Sequence, residues 1–101
     1  MKVHVQAVNF NVDKDLVELI EKKITSLLKF YDHIIEANVF LKVQKTSQRV
    51  NKELEIRLRI PGVDPVVKKS SNTFEDALLQ AVASLKKTLT RRKEKQREKH
   101  N

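Results

Sequence analysis

Residues 37–60, ANVFLKVQKTSQRVNKELEIRLRI, decide the fold. Ala37, Val39, Leu41 and Val43 alternate with Asn38, Phe40, Lys42 and Gln44, and after the polar run Lys45 to Val50 the alternation resumes at Leu54, Ile56, Leu58 and Ile60. A period of two puts one set of side chains on each face of a strand, so the apolar sets face a core and the polar sets face water. The stretch predicts two long antiparallel strands with one wet face.

Upstream, Val3, Val5 and Ala7 alternate with Lys2, His4 and Gln6, a third half-buried strand. Asp13 suits the N-cap of a helix, because its carboxylate accepts from first-turn amides and complements the dipole. Leu16, Val17, Ile20, Ile24, Leu27 and Leu28 then form one apolar stripe, which predicts a helix over about 13–30. Downstream, Pro61-Gly62 breaks the strand and 63–70 returns as a shorter one, in which Pro65 argues for an early or edge position. Ser71, Asn72 and Thr73 offer three caps to a last helix, with Glu75 at N3 if Asn72 is the cap. Phe74, Leu78, Ala81, Val82, Leu85 and Leu89 form its buried stripe, and no apolar residue follows Leu89, so its end is expected to project or fray. The expected fold class is α+β, in the order β-α-β-β-β-α, with a four-stranded sheet and both helices packed on one face.

With 101 residues and 40% hydrophobic content, the chain can bury one core. The expected organisation is a single domain over 1–90 with a basic helical extension or tail over 91–101. No Cys is present, which removes disulfides and thiolate chemistry and fits a reducing compartment. The first ten residues read as a strand and not as a signal peptide. No apolar run approaches the roughly 20 residues of a spanning helix. A cytoplasmic location is expected.

The formal charge is +8 and its placement is uneven. Residues 86–101 hold eight Lys/Arg against Glu94 and Glu98, a net +6, which leaves +2 for the rest. Such a concentrated field attracts polyanions by counterion release. Helix-dipole compensation explains two or three of these cations but not eight. Lys87, Arg91 and Lys95 repeat at i, i+4, i+8, so they share one edge. The expected RNA-binding residues are Lys86, Lys87, Arg91, Arg92, Lys93 and Lys95, with Lys22, Lys23 and Lys29 from the first helix and Lys42 from a strand. A membrane partner is disfavoured, because Thr90 onward has no apolar face to enter a bilayer. RNA is preferred to DNA, since a sheet backed by two helices offers a broad face and no DNA-reading motif is visible.

Chemistry finds no foothold. His4, His33 and His100 share no spacing that converges on a metal. Glu53 and Glu55 share a strand face with Arg57 and Arg59, the normal charge alternation of a solvated sheet. A single Gly excludes a phosphate-cradling loop. No catalytic residue, metal, cofactor or small-molecule substrate is expected. Phe40, on the polar face, is a candidate for stacking on a base or for covering the sheet.

The element order, the opening MKVHVQAVNFNVDKDLVELIEKKITSLLKF and the closing SNTFEDALLQAVASLKKTLTRRKEK together resemble the short ribosome hibernation-promoting factors, also called ribosome-associated inhibitors. The resemblance covers essentially the whole chain. It implies a double-stranded-RNA-binding-like fold and a site on the small ribosomal subunit, against 16S rRNA in the channel used by messenger and transfer RNA. A factor lodged there would block translation and preserve idle ribosomes under stress or in stationary phase. Where the family's last helix commonly begins acidic-Met-Tyr-Ala-Ala-Ile-Asp, this chain has Thr73-Phe74-Glu75-Asp76-Ala77-Leu78-Leu79, so a role attached to that Tyr does not carry over. Ending at Asn101, the chain is expected to need a separate ribosome-dimerising factor if ribosomes are paired. Two other readings of the residues stay open: a structured-RNA binder acting away from ribosomes, and a protein-interaction module whose basic tail docks on an acidic partner.

Overall fold

In the computed structural model, which describes the backbone of residues 1–99 and the side chains of residues 1–95, each alternating segment is a strand. They are β1 (Lys2–Val8), β2 (Glu36–Val43), β3 (Lys52–Arg59) and β4 (Val66–Ser71). They lie in one sheet in the order β1-β2-β3-β4, with β1 and β2 parallel and the other two pairs antiparallel. The register places Val5, Val39, Ile56 and Val67 side by side, and on the opposite face it aligns Gln6, Phe40, Glu55 and Lys68. Pro65 directly precedes β4, an edge strand, where its missing N–H costs no ladder bond.

The parallel β1–β2 pair requires a crossover, which α1 (Lys14–Thr25) supplies. Asp13 caps it, accepting from the Asp15 amide at 3.4 Å. The helix expected over 13–30 tightens after Thr25 into a 3₁₀ turn, Ser26–Lys29. At the junction the Ser26 hydroxyl donates to the Lys23 carbonyl at 2.5 Å, a local bond that competes with regular α-helical pairing.

The second helix, α2 (Phe74–Lys99), starts from the third of the three candidate caps. Thr73 Oγ1 accepts from the Asp76 amide at 3.1 Å, so Asp76 and not Glu75 is at N3. The buried Ser71 hydroxyl at the end of β4 donates to the same Asp76 carboxylate, tying strand to helix. Both helices cover one face of the sheet. Ile20, Ile24, Leu27, Val39, Leu41, Leu54, Ile56, Leu78, Leu85 and Leu89 are fully buried between the layers. Beyond Leu89 the helix continues for ten residues, about 15 Å at 1.5 Å per residue, with no further apolar anchor.

The strand directions fix the sense of the helices. β4 runs the same way as β1, and each is followed by a helix that returns across the sheet, so α1 and α2 run in the same sense. α1 therefore ends at the end of the sheet where β2 begins and β3 finishes, and α2 passes the same end and runs on beyond it.

Candidate nucleic-acid interface

On α2 the 100° step between residues sorts the cations around the stripe Phe74, Leu78, Ala81, Leu85 and Leu89. Lys86 and Lys93 share the flank toward the 3₁₀ turn, where the Lys86 ammonium stands 4.4 Å from the centroid of the Phe30 ring. Lys87 occupies the crest with Thr90 and Glu94. Arg91 and Lys95 share the other flank, toward the β3–β4 turn, beside Val63 and Pro65. Lys86, Lys87, Arg91, Lys93 and Lys95 are all exposed, and among the described residues none of them forms an ion pair.

Because the helices share a direction, Lys22, Lys23 and Lys29 lie at this same end of the molecule. Lys22 and Lys29 are exposed and Lys23 is half-buried. Two helix C-termini, each with a partial negative charge, thus carry cations in excess of what the dipoles attract.

The open face of the sheet is the opposite case. Glu36 lies 3.6 Å from His4 and 3.7 Å from Arg59, Glu55 pairs with Arg57 at 3.1 Å, and Glu53 pairs with Lys68 at 3.3 Å. Gln44 also donates to Glu53. Phe40, half-buried here, has the Arg57 guanidinium 5.5 Å from its ring centroid. These pairs cancel locally, while Lys2 and Lys42 on the same face form no ion pair among the described residues.

Lys42 does not join the helical cations. It is on the open face, six residues along β2 from Glu36, or roughly 20 Å from the basic end at about 3.3 Å per residue. Lys45 and Arg49 follow it in the connection at that far end. Of the histidines, His4 meets Glu36, His33 lies 3.3 Å from Asp32, and His100 falls outside the described residues. Among the described residues no three His, Asp or Glu side chains gather as metal ligands. The side chains of Arg97 and Lys99 also lie outside the described residues.

Arg92 has a structural task. It continues the buried stripe after Leu85 and Leu89, is half-buried, and its Nη2 donates to the Pro61 carbonyl at 2.8 Å. Gly62, at φ +87°, makes room for it, because a Cβ there would lie 2.7 Å from Arg92 Nη2. The β3–β4 turn thus holds the last anchored turn of α2. Arg92→Gln and Gly62→Ala should each cost about 1 kcal/mol in urea denaturation, and because much of the second cost is the strain of a Cβ at φ +87°, which persists without Arg92, the double variant should fall only slightly short of their sum. Arg92→Gln should leave the salt dependence of RNA binding unchanged, which a lost phosphate contact would not.

Residues 3–97 match the family described as Sigma 54 modulation protein / S30EA ribosomal protein. The chain belongs to that family. Membership makes it a ribosome-associated protein of a family that is not one of enzymes, and it upholds the likeness to hibernation-promoting factors read from the sequence. Two solved structures share this S30EA fold. One is described as a ribosomal subunit interface protein from Coxiella burnetii, 17% identical, with TM-score 0.81 over 92% of this chain and 98% of that one. The other is the N-terminal domain of Thermus thermophilus Protein Y, 22% identical, with TM-score 0.78 over 90% of this chain and 98% of that one. At such identities the likeness is one of fold. No curated protein sequence matches the chain.

Within the S30EA fold, the residues that sequence reading passed over are Phe30, Pro61 and Gly62. Each touches an α2 cation only because the chain returns on itself. Pro61-Gly62 was visible as a break, and nothing in the sequence paired it with Arg92, 31 residues away.

Proposed function

We propose that the protein binds the small ribosomal subunit in the channel of messenger and transfer RNA and keeps idle ribosomes inactive under stress or in stationary phase. Lys86, Lys87, Arg91, Lys93 and Lys95, joined by Lys22, Lys23 and Lys29, contact phosphates of 16S rRNA. What carries this reading, within a ribosome-associated family, is the gathering at one end of cations from both helices that form no ion pair among the described residues, whereas Arg57, Arg59 and Lys68 on the sheet face are each held by a carboxylate. Residues 1–90 act as the ribosome-binding body and 91–101 as its basic extension.

The action is occupancy. Phosphate contacts position the protein, and its folded volume excludes the RNAs that use the same space; no bond is made or broken. The cytoplasm is the compartment this requires, and among the described residues no helix is long and apolar enough to cross a membrane.

The test is a titration of labelled protein with purified 30S subunits at several salt concentrations. For about six phosphate contacts, log K should fall against log salt with a slope of roughly −4 to −5. A slope near zero would remove the electrostatic account, and an absence of binding would remove the ribosomal one.

A further inference from the structure

Between the β3–β4 turn and one flank of α2 runs a groove of about 320 Å³ lined by Val63, Pro65, Thr88, Arg91, Arg92 and Lys95. Its wall on the sheet side is apolar: Val63 is 43% exposed and Pro65 lies beside it half-buried. Its helical side is cationic, and among the described residues no acidic one lines it. The other concavities nearby differ in this respect, since the one along the crest of α2 includes Glu94 and the one on the open sheet face includes Glu36 and Asp64.

The three cations are unlike one another. Arg91 and Lys95 are exposed and form no ion pair among the described residues, so they can follow a phosphate. Arg92 is fixed by its bond to the Pro61 carbonyl and presents a guanidinium held in place. Thr88 donates its hydroxyl proton to the Ser84 carbonyl at 3.1 Å, which leaves the oxygen as an acceptor at the groove. Unstacked bases pack on apolar and guanidinium surfaces and offer amino groups to acceptors, while their phosphates take Arg and Lys. The volume is at the small end of ligand pockets, of the order of one nucleotide, and too small for a folded peptide segment.

We propose that this groove holds one unstacked nucleotide of the bound RNA. The base lies against Val63 and Pro65 beside the fixed Arg92, and its phosphate is held by Arg91 and Lys95. The inference rests on the reading of α2 as an RNA-contacting helix and adds a subsite for an unpaired position. The protein then favours RNA that displays an extruded base next to a phosphate track over a continuous duplex.

The experiment is an NMR titration of the full chain with adenosine 5′-monophosphate and, at matched ionic strength, with inorganic phosphate. The nucleotide should produce saturable shifts at the amides of Val63, Thr88, Arg91 and Lys95, at an affinity at least ten-fold above that of phosphate. Val63→Asp should weaken nucleotide binding ten-fold or more. Val63→Ser, which adds no charge, should weaken it by a smaller factor, and both variants should keep the remaining spectrum because Val63 is exposed. Equal responses to nucleotide and phosphate, no saturable shift, or tighter binding of a hexaglutamate peptide at the same amides would each overturn the proposal. Loss of nucleotide binding with intact 30S association removes only the subsite. Nucleotide binding without 30S association upholds the subsite and removes the ribosomal reading.

Discussion

Replacing Lys87, Arg91, Lys93 and Lys95 together by Glu should abolish the proposed association with 30S subunits at near-physiological salt, an expected loss of about a thousand-fold or more in affinity. Each substitution removes a cation that releases counterions from RNA and sets a negative charge against a phosphate. Arg92 is left in place because it braces the helix against the Pro61 carbonyl, and its loss would confuse binding with stability. The four targets are exposed and make no ion pair among the described residues, so the circular dichroism spectrum should be nearly unchanged. The matched control reverses Arg57 and Lys68 on the sheet face, where both cations already pair with Glu55 and Glu53. That variant should lose far less affinity. Binding that survives the helical reversal, measured by cosedimentation, would contradict the assignment of α2 as the interface.

The second large effect concerns stoichiometry. In a purified translation system, inhibition should saturate near one protein per ribosome and reverse when salt or excess transfer RNA displaces the protein. The expectation follows from the proposed action by occupancy, in a ribosome-associated family that is not one of enzymes. An RNA-cleaving protein would inhibit at catalytic amounts and leave damage behind. Ribosomal RNA on a denaturing gel beside the titration decides the matter, because new fragments at substoichiometric protein would overturn action by occupancy.

The fold was legible because its signals are local. Alternation in 2–8, 37–44 and 54–60 sets faces and strands regardless of what packs above them, and of the helical stripes Ile20, Ile24, Leu27, Phe74, Leu78, Ala81, Leu85 and Leu89 are buried, whereas Leu16, Val17, Leu28 and Val82 are half-buried and buried Ala77 was not among those named. What local signals could not settle was which of three adjacent caps would start α2. Thr73 takes that place, while Ser71, at the end of β4, bonds to Asp76, and the length of the strand decides between them. The early tightening of the first helix at Ser26 also escaped the apolar pattern, because Leu27 and Leu28 pack equally well from a 3₁₀ turn.

The candidate site was legible as charge but not as arrangement. A run of eight Lys/Arg marks a concentration of positive charge, and five of the α2 cations are exposed. Whether Lys22, Lys23, Lys29 and Lys42 join them depends on strand direction. The parallel β1–β2 pair brings the first three to the basic end, whereas the register of β2 sends Lys42 to the far end and the other face. Arg92 reads as one more cation in a basic run, and only the return of the chain at Pro61-Gly62 gives it a neutral partner.

The site proposed for the α2 cations is the channel of messenger and transfer RNA on the small subunit. Its most direct test is displacement, with fluorescently labelled protein bound to 30S subunits and challenged with messenger and initiator transfer RNA, and with isolated 50S subunits as the parallel sample. The expected result is mutually exclusive binding on 30S and none on 50S. A stable complex holding protein, messenger and transfer RNA together on one 30S subunit, or equal affinity for 50S, would contradict it.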